Sequence, residues 1–397
     1  MSNYLENIRN NMSKLVKLFI ILSLYIPSVF AEYQYQLIEK DGHKIHMVVL
    51  DPLEYEASLL ASHNQVFGRE RIGDIARREN AEIAINAGFF EIGDVQDGRP
   101  TGTLVNDGNL FGLRTSKHAC FVKNAGKFSV EFLEPNLSIK VGNNVVKPFR
   151  FNRFARGKKI FFFNQYWGKS TLSAYDSRKE VAIDSNGKIV AIYEHGNASI
   201  PSNGAVVSFP KNADVSYMKA GQKVDLNWSP GYFASKNSFA IMGIPALLVD
   251  GKIQDGLSKT TKHARTAIGV KKSGELVVVV AEHVYKSKLS DMTIKDIKRI
   301  IESKNLSLAE LKVYDVLQAV SNDLSKMGNV VGLTSLELAN FMHDQGCVSA
   351  INLDGGGSSA LYINGQYINQ SVGDSEELDG QLVVRPVSDA IIFKRKF

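Results

Sequence analysis

The sequence predicts an α/β or α+β fold: a mixed central β-sheet with helices packed on it, forming one domain over residues 32–397. Three observations predict it. Leu276 to Ala281 is almost pure valine, as expected of a central strand buried on both faces. Two helix-then-strand units flank it at a distance, one ending Ala84-Ile85-Asn86 and the other Ala350-Ile351-Asn352. The most polar, glycine-rich motifs fall at strand ends, where a sheet-edge crevice binds ligands.

Composition fits that reading. Of 397 residues, 44% are hydrophobic and 22% charged, close to the globular average. Disorder, collagen and coiled coil are excluded as starting points. A net charge of +6 is mild over this length and does not mark a nucleic-acid binder. The one basic block, Lys394-Arg395-Lys396, reads as a solvated terminus.

Residues 1–31 read as a secretory signal peptide. Lys14 and Lys17 precede the apolar run Leu18 to Ile26, and Ser-Val-Phe-Ala follows, with cleavage expected after Ala31. The apolar run is short for a membrane span, which takes about 20 residues. The expected location is therefore exported, either periplasmic or secreted. Cys120 and Cys347 are the only cysteines. In an exported protein they either pair or stay as buried thiols, and no CxxC suggests a zinc ribbon or redox site.

Along the chain, His46 to Leu50 reads as a strand. Arg71 to Asn80 reads as a helix with Ile72, Ile75 and Ala76 inward, and Ala81 to Asn86 as a buried strand broken by Gly88. Asn106-Asp107-Gly108-Asn109 and Val249-Asp250-Gly251-Lys252-Ile253 are hairpin signals. Residues 285–331 change character: isoleucines and leucines at helical spacing, with Ser307 and Glu310 as a capping box, predict two amphipathic helices inserted into the domain. Thr334 with Glu337 caps a further helix that Gly346 ends. Cys347 to Leu353 is then a strand, Asn364-Gly365 turns a hairpin, and Asp389 to Phe393 is the last strand.

Three strand-end clusters carry the chemistry. Asn352-Leu353-Asp354-Gly355-Gly356-Gly357-Ser358-Ser359 is the strongest. Three glycines permit close ligand approach, their amides can converge on an anion, and Asp354 suits acid–base work. Asn86-Ala87-Gly88-Phe89-Phe90 offers an amide for a hydroxyl or phosphate oxygen and two rings for a sugar face. His263-Ala264-Arg265-Thr266 offers a guanidinium fork for phosphate and a histidine able to move a proton. Together they predict a grip on an anionic, hydroxyl-rich ligand. No P-loop or GxSxG elbow is present, so nucleotide binding and a serine mechanism through Ser358 or Ser359 are disfavoured. No spacing of Asp354, Asp255, Glu282, His263 and His283 matches a metal cage, and a structural calcium suits them better than a catalytic zinc.

These clusters, together with Pro100 to Leu104, Asn152-Arg153, Tyr166-Trp167-Gly168, Pro201 to Gly204 and Gly332 to Ala339, occur in an order that closely resembles the phosphodiester glycosidase family. The resemblance runs over roughly residues 40–395. It implies hydrolysis of a sugar-1-phosphodiester, with Asp354, His263 and Glu282 as catalytic residues and Asp354 as base for water or as nucleophile. It implies sugar and phosphate binding by Asn86, Phe89, Phe90, Arg265, Thr266, Asn352, Gly355, Gly356, Gly357, Ser358 and Ser359. The family often has an acidic residue and a glycine after its valine strand. Here Ala281-Glu282-His283-Val284 places Glu282 one position late. Glu91 stands where aspartate is common, and the 285–331 insertion exceeds the family's usual link. The expected partner is a phosphorylated glycan or sugar phosphodiester, without nucleic acid, cofactor or membrane span after signal cleavage. The alternative is a glycan-binding or cell-envelope protein that keeps the pocket without the reaction.

Overall fold

The structure is a computed structural model that describes residues 33–40, 42–283, 332–370 and 384–396, with Glu377–Leu378, Gln381–Leu382 and a few isolated positions from 295 to 312. The proposed signal peptide and, apart from those isolated positions, the helical pair of 285–331 with its Ser307–Glu310 box lie outside the described residues.

The fold is mostly antiparallel β-sheet, which corrects the expected α/β class with its mixed central sheet. The largest sheet has seven strands in the order Tyr33–Lys40, His43–Leu50, Leu276–Ala281, Arg265–Lys271, Cys347–Asn352, Ala246–Val249 and Lys252–Ile253. Every pairing in it is antiparallel. A second sheet has five strands: Gln366–Tyr367, Leu361–Ile363, Ile83–Asn86, Asp389–Arg395 and Tyr55–Ala61. Three further sheets are built mainly from residues 104–242. The α-helices bounded among the described residues are Ile72–Arg78 and Ser335–Asp344.

The valine strand explains the misreading. Its residues alternate, as strand geometry requires. Leu276, Val278 and Val280 enter the main core, while Val277, Val279 and Ala281 enter a separate cluster with Leu338, Ala339 and Met342 of the second helix. The five-stranded sheet does the same. Ile83, Ile85, Ile391 and Phe393 face the main core, and Ala84, Ala390 and Ile392 pack under Ile72, Ile75 and Ala76 of the first helix. Two sheets thus contribute their inner faces to one core, and each carries a helix on its outer face. Burial on both faces arises from a sheet on one side and a single helix on the other. In sequence, that pattern is identical to a parallel sheet flanked by helices. Each fully buried valine contributes about 1.5–3 kcal/mol, so the run alone anchors the sheet.

The local signals hold. Asp107-Gly108 and Asp250-Gly251 take positive φ in their hairpins. Thr334 receives the Glu337 amide on its hydroxyl, and Glu337 receives the Thr334 amide, closing the capping box. Cys120 and Cys347 are both buried free thiols in separate strands, so of the two states open from sequence the chain has the unpaired one.

Candidate active site

The Asp-Gly-Gly-Gly loop carries the chain from one sheet to the other. Cys347–Asn352 ends in the seven-stranded sheet, residues 353–360 cross, and Leu361–Ile363 joins the five-stranded one. The crossing is stitched to both sheets. The Leu353 amide donates to the Thr266 carbonyl (2.8 Å), the Asp354 amide to Ala87 (2.9 Å) and the Gly356 amide to Ala264 (2.9 Å). A β-carbon on Gly355 would sit 2.7 Å from the Ala264 carbonyl oxygen, so the glycine is required by backbone contact. The three clusters read from sequence therefore meet at one place.

Asn86 is the tie between them. It is fully buried at its strand end. Its Nδ2 donates to the Asp354 carbonyl (2.7 Å), and its Oδ1 accepts from Thr266 Oγ1 (2.7 Å) and the Ala360 amide (3.1 Å). With its acceptor and one amide proton spent inside the protein, Asn86 positions the loop, and Thr266 does so through it. Asn352 Nδ2 holds the Ile244 and Leu353 carbonyls (2.6 and 2.8 Å). Asn352 Oδ1 and Ser359 Oγ are buried with no protein partner.

The Asp354 carboxyl has its pKa raised by burial, against hydrogen bonds from Ser358 and the Gly355 amide and the charge of Arg385. Arg385 packs against Gly357 and reaches Ser358 Oγ at 3.5 Å. Sequence reasoning did not single out Arg385. It also missed Asp389, which opens the last strand beside Asn86 and is completely buried. The Gly88 amide and Ser388 hydroxyl donate to its carboxylate. Burial pushes its pKa up to about 6, against those hydrogen bonds and with the charge of Asp354 adding to the rise. The two carboxyls are coupled, and Asp389 sits beneath the Ala87-Gly88 turn that receives the Asp354 amide. An aspartate opening an apolar strand, where the residue type is depleted, was the available signal.

Arg265 lies at the rim, its Nε and Nη2 donating to the Leu333 and Thr261 carbonyls (3.0 and 3.1 Å). Burial lowers its pKa, and both acceptors are neutral. His263 is exposed, and its backbone bridges Leu333. Burial and the charge of Arg265 lower its pKa. His283 receives the Gly332 amide on Nδ1 (2.8 Å), and burial and the charge of His263 lower its pKa.

Other expected residues go elsewhere. Glu282 is buried at the end of the valine strand and accepts from His46 Nε2 (2.7 Å) and the Gln370 amide (2.8 Å). Burial raises its pKa, but those hydrogen bonds and the charges of His46 and Lys44 bring it below the ordinary value. These bonds tie it to the neighbouring strand and to Gln370, not to Asp354. Phe89 and Phe90 pack against different clusters, so they do not form one wall. Among the described residues, no three His, Cys, Asp or Glu side chains gather to hold a metal ion.

A profile of the phosphodiester glycosidase family matches residues 179–309 and 316–394. The chain belongs to this family. The match spans His263, Arg265, the glycine loop, Arg385 and Asp389, and leaves out Asn86. The chain is also 32% identical to an uncharacterized protein of Rickettsia conorii, over 280 residues covering 68% of this chain and 99% of that protein. Solved structures share the fold. A hypothetical protein from Synechocystis superposes with a TM-score of 0.64 at 20% identity over 92% of this chain. This chain spans 62% of that one. A putative exported protein from Burkholderia pseudomallei gives a TM-score of 0.59 at 18% identity, covering 89% of this chain and 74% of that one. Among the described residues no helix is long and apolar enough to cross a membrane.

Proposed function

We propose that the protein is an exported hydrolase that breaks the glycosidic C–O bond of sugar-1-phosphodiesters, releasing free sugar and a phosphomonoester. The observation that carries this is the Asp354 carboxyl, poised at the crossing between two sheets within the field of Arg385. Family membership supplies the reaction class. Export rests on the basic, apolar and small-residue pattern of residues 1–31.

Water attacks the anomeric carbon and gives a proton to the Asp354 carboxylate. The electron pair of the broken C–O bond leaves on the phosphate oxygen. A phosphomonoester is already a stabilised anion, so the reaction asks less of a general acid than ordinary glycoside hydrolysis does. It asks more of electrostatics, which Arg385 and Arg265 supply toward the phosphate. Asn86, Thr266 and Asp389 hold the loop. His263 stands at the rim, its pKa lowered by partial burial and by the charge of Arg265. Glu282 takes no step, since its carboxylate is engaged by His46 and Gln370.

The test is a panel of sugar-1-phosphodiesters offered to the protein from residue 32 onward. Equal amounts of free sugar and phosphomonoester are expected. Binding of the same compounds by folded protein without any release would overturn the proposal in favour of a glycan-binding protein.

A further inference from the structure

Two adjoining cavities of about 310 and 350 Å³, neither lined by Asp354, share Arg150 and Arg153 in their walls. Arg99, Arg156 and Lys159 complete the first, and Arg114 the second. We infer that this double cavity is a second ligand site, for a polyanion that places one phosphate-type oxyanion in each half.

Positive charge outweighs negative here, and the donors are prepared. Six basic side chains line the pair of cavities, and Glu91 is the one carboxylate among the lining residues. Glu91 pairs with Arg99 at 3.0 Å. Of the neighbouring acids, Asp94 acts on Arg99, and Asp97 is engaged by Arg69 at 2.9 Å. Arg153 is half-buried at the junction. Burial and the charges of Arg99 and Arg150 lower its pKa to about 10. Its Nη2 donates to the Thr101 carbonyl at 2.7 Å, one of five guanidinium donors on a side chain that lines both cavities. Like charges held this close cost stability, and a bound anion removes that cost. Guanidinium forks match tetrahedral oxyanions. Each volume falls near the low end of small-molecule sites, which run to roughly 300–1,000 Å³.

Two of the three rings lining the first cavity, Phe149 and Phe161, already carry cations on their faces. The Arg150 guanidinium lies 3.7 Å from the centre of Phe149, and Lys159 Nζ lies 4.4 Å from it. This favours a phosphorylated or sulfated glycan over a nucleic acid. The site needs the arginines and not Asp354, so it stands or falls separately from the hydrolytic reading.

Calorimetric titration of the protein from residue 32 onward with inorganic tripolyphosphate tests it, beside inorganic phosphate, a sulfated oligosaccharide and a single-stranded oligonucleotide. Tripolyphosphate should bind at least tenfold tighter than phosphate. The paired change Arg150→Glu with Arg156→Glu should weaken binding at least tenfold, and Asp354→Asn should leave it unchanged. Arg150→Gln with Arg156→Gln, which removes charge without reversing it, should weaken binding in the same direction and serves if the first pair misfolds. Tighter binding of the sulfated sugar than of tripolyphosphate would support the site with sulfate as its anion. Equal affinity for phosphate and tripolyphosphate, indifference to the arginine changes, or tightest binding of the oligonucleotide would overturn it.

Discussion

Asp354→Asn lowers kcat for a sugar-1-phosphodiester by about a thousandfold, within the span ascribed to a positioned general base, and leaves the dissociation constant nearly unchanged. Asparagine is isosteric, and its Oδ1 can keep the bond from the Gly355 amide that Asp354 accepts at 3.0 Å. The loop's other ties run through backbone groups and Asn86, so the pocket survives. What is lost is the acceptor for the proton of water. The phosphate still meets Arg385 and Arg265. A single-turnover rate beside a binding titration separates the two effects. A loss below about tenfold would assign the base to another group.

Asp389→Asn makes the protein more stable at pH 7.5 and flattens its stability profile between about pH 4 and 7, where a buried carboxyl with a raised pKa titrates. The native carboxyl has its pKa raised from 3.8 to about 6 by burial, with the Asp354 charge adding to the rise. The folded state therefore binds its proton more tightly than the unfolded chain does. That contribution is fully present below the unfolded value and is lost as pH rises through the folded one. The shift amounts to about 3 kcal/mol at most. Asparagine carries no charge to bury and can still accept from Gly88. Denaturant unfolding across pH measures the difference. A variant destabilised equally at pH 4 and pH 7.5 would show that Asp389 acts only through its hydrogen bonds.

Much of the site was legible because its parts are contiguous. The glycine loop, Asn86 and the His263-to-Thr266 segment each announce themselves by residue types that strands and turns do not otherwise need. Their meeting is visible in the three loop-to-strand hydrogen bonds. The sheet's hand was not legible. Valine alternation records that both faces of Leu276–Ala281 are covered, but not by what. Roles were harder than places. Asn86 looks like a sugar ligand in sequence, yet Asp354, Thr266 and Ala360 occupy it. Phe89 and Phe90 look like a wall, yet neighbours in a chain turn to opposite sides. Asp389 comes beside Asn86 through a strand pairing that no local pattern discloses, and Arg385 reaches Gly357 and Ser358 from the segment before that strand. The arginine cavities gather residues from 99 to 159 that sequence spaces too widely to read as one patch.

The central claim is that the bond broken is the one between the anomeric carbon and oxygen. Hydrolysis of a sugar-1-phosphodiester in ¹⁸O-labelled water, with the products read by mass spectrometry, tests it most directly. The mechanism predicts an unlabelled phosphomonoester, its bridging oxygen retained, and label in the sugar released at first turnover. Label in the phosphate would mean attack at phosphorus, and the protein would then be a phosphodiesterase.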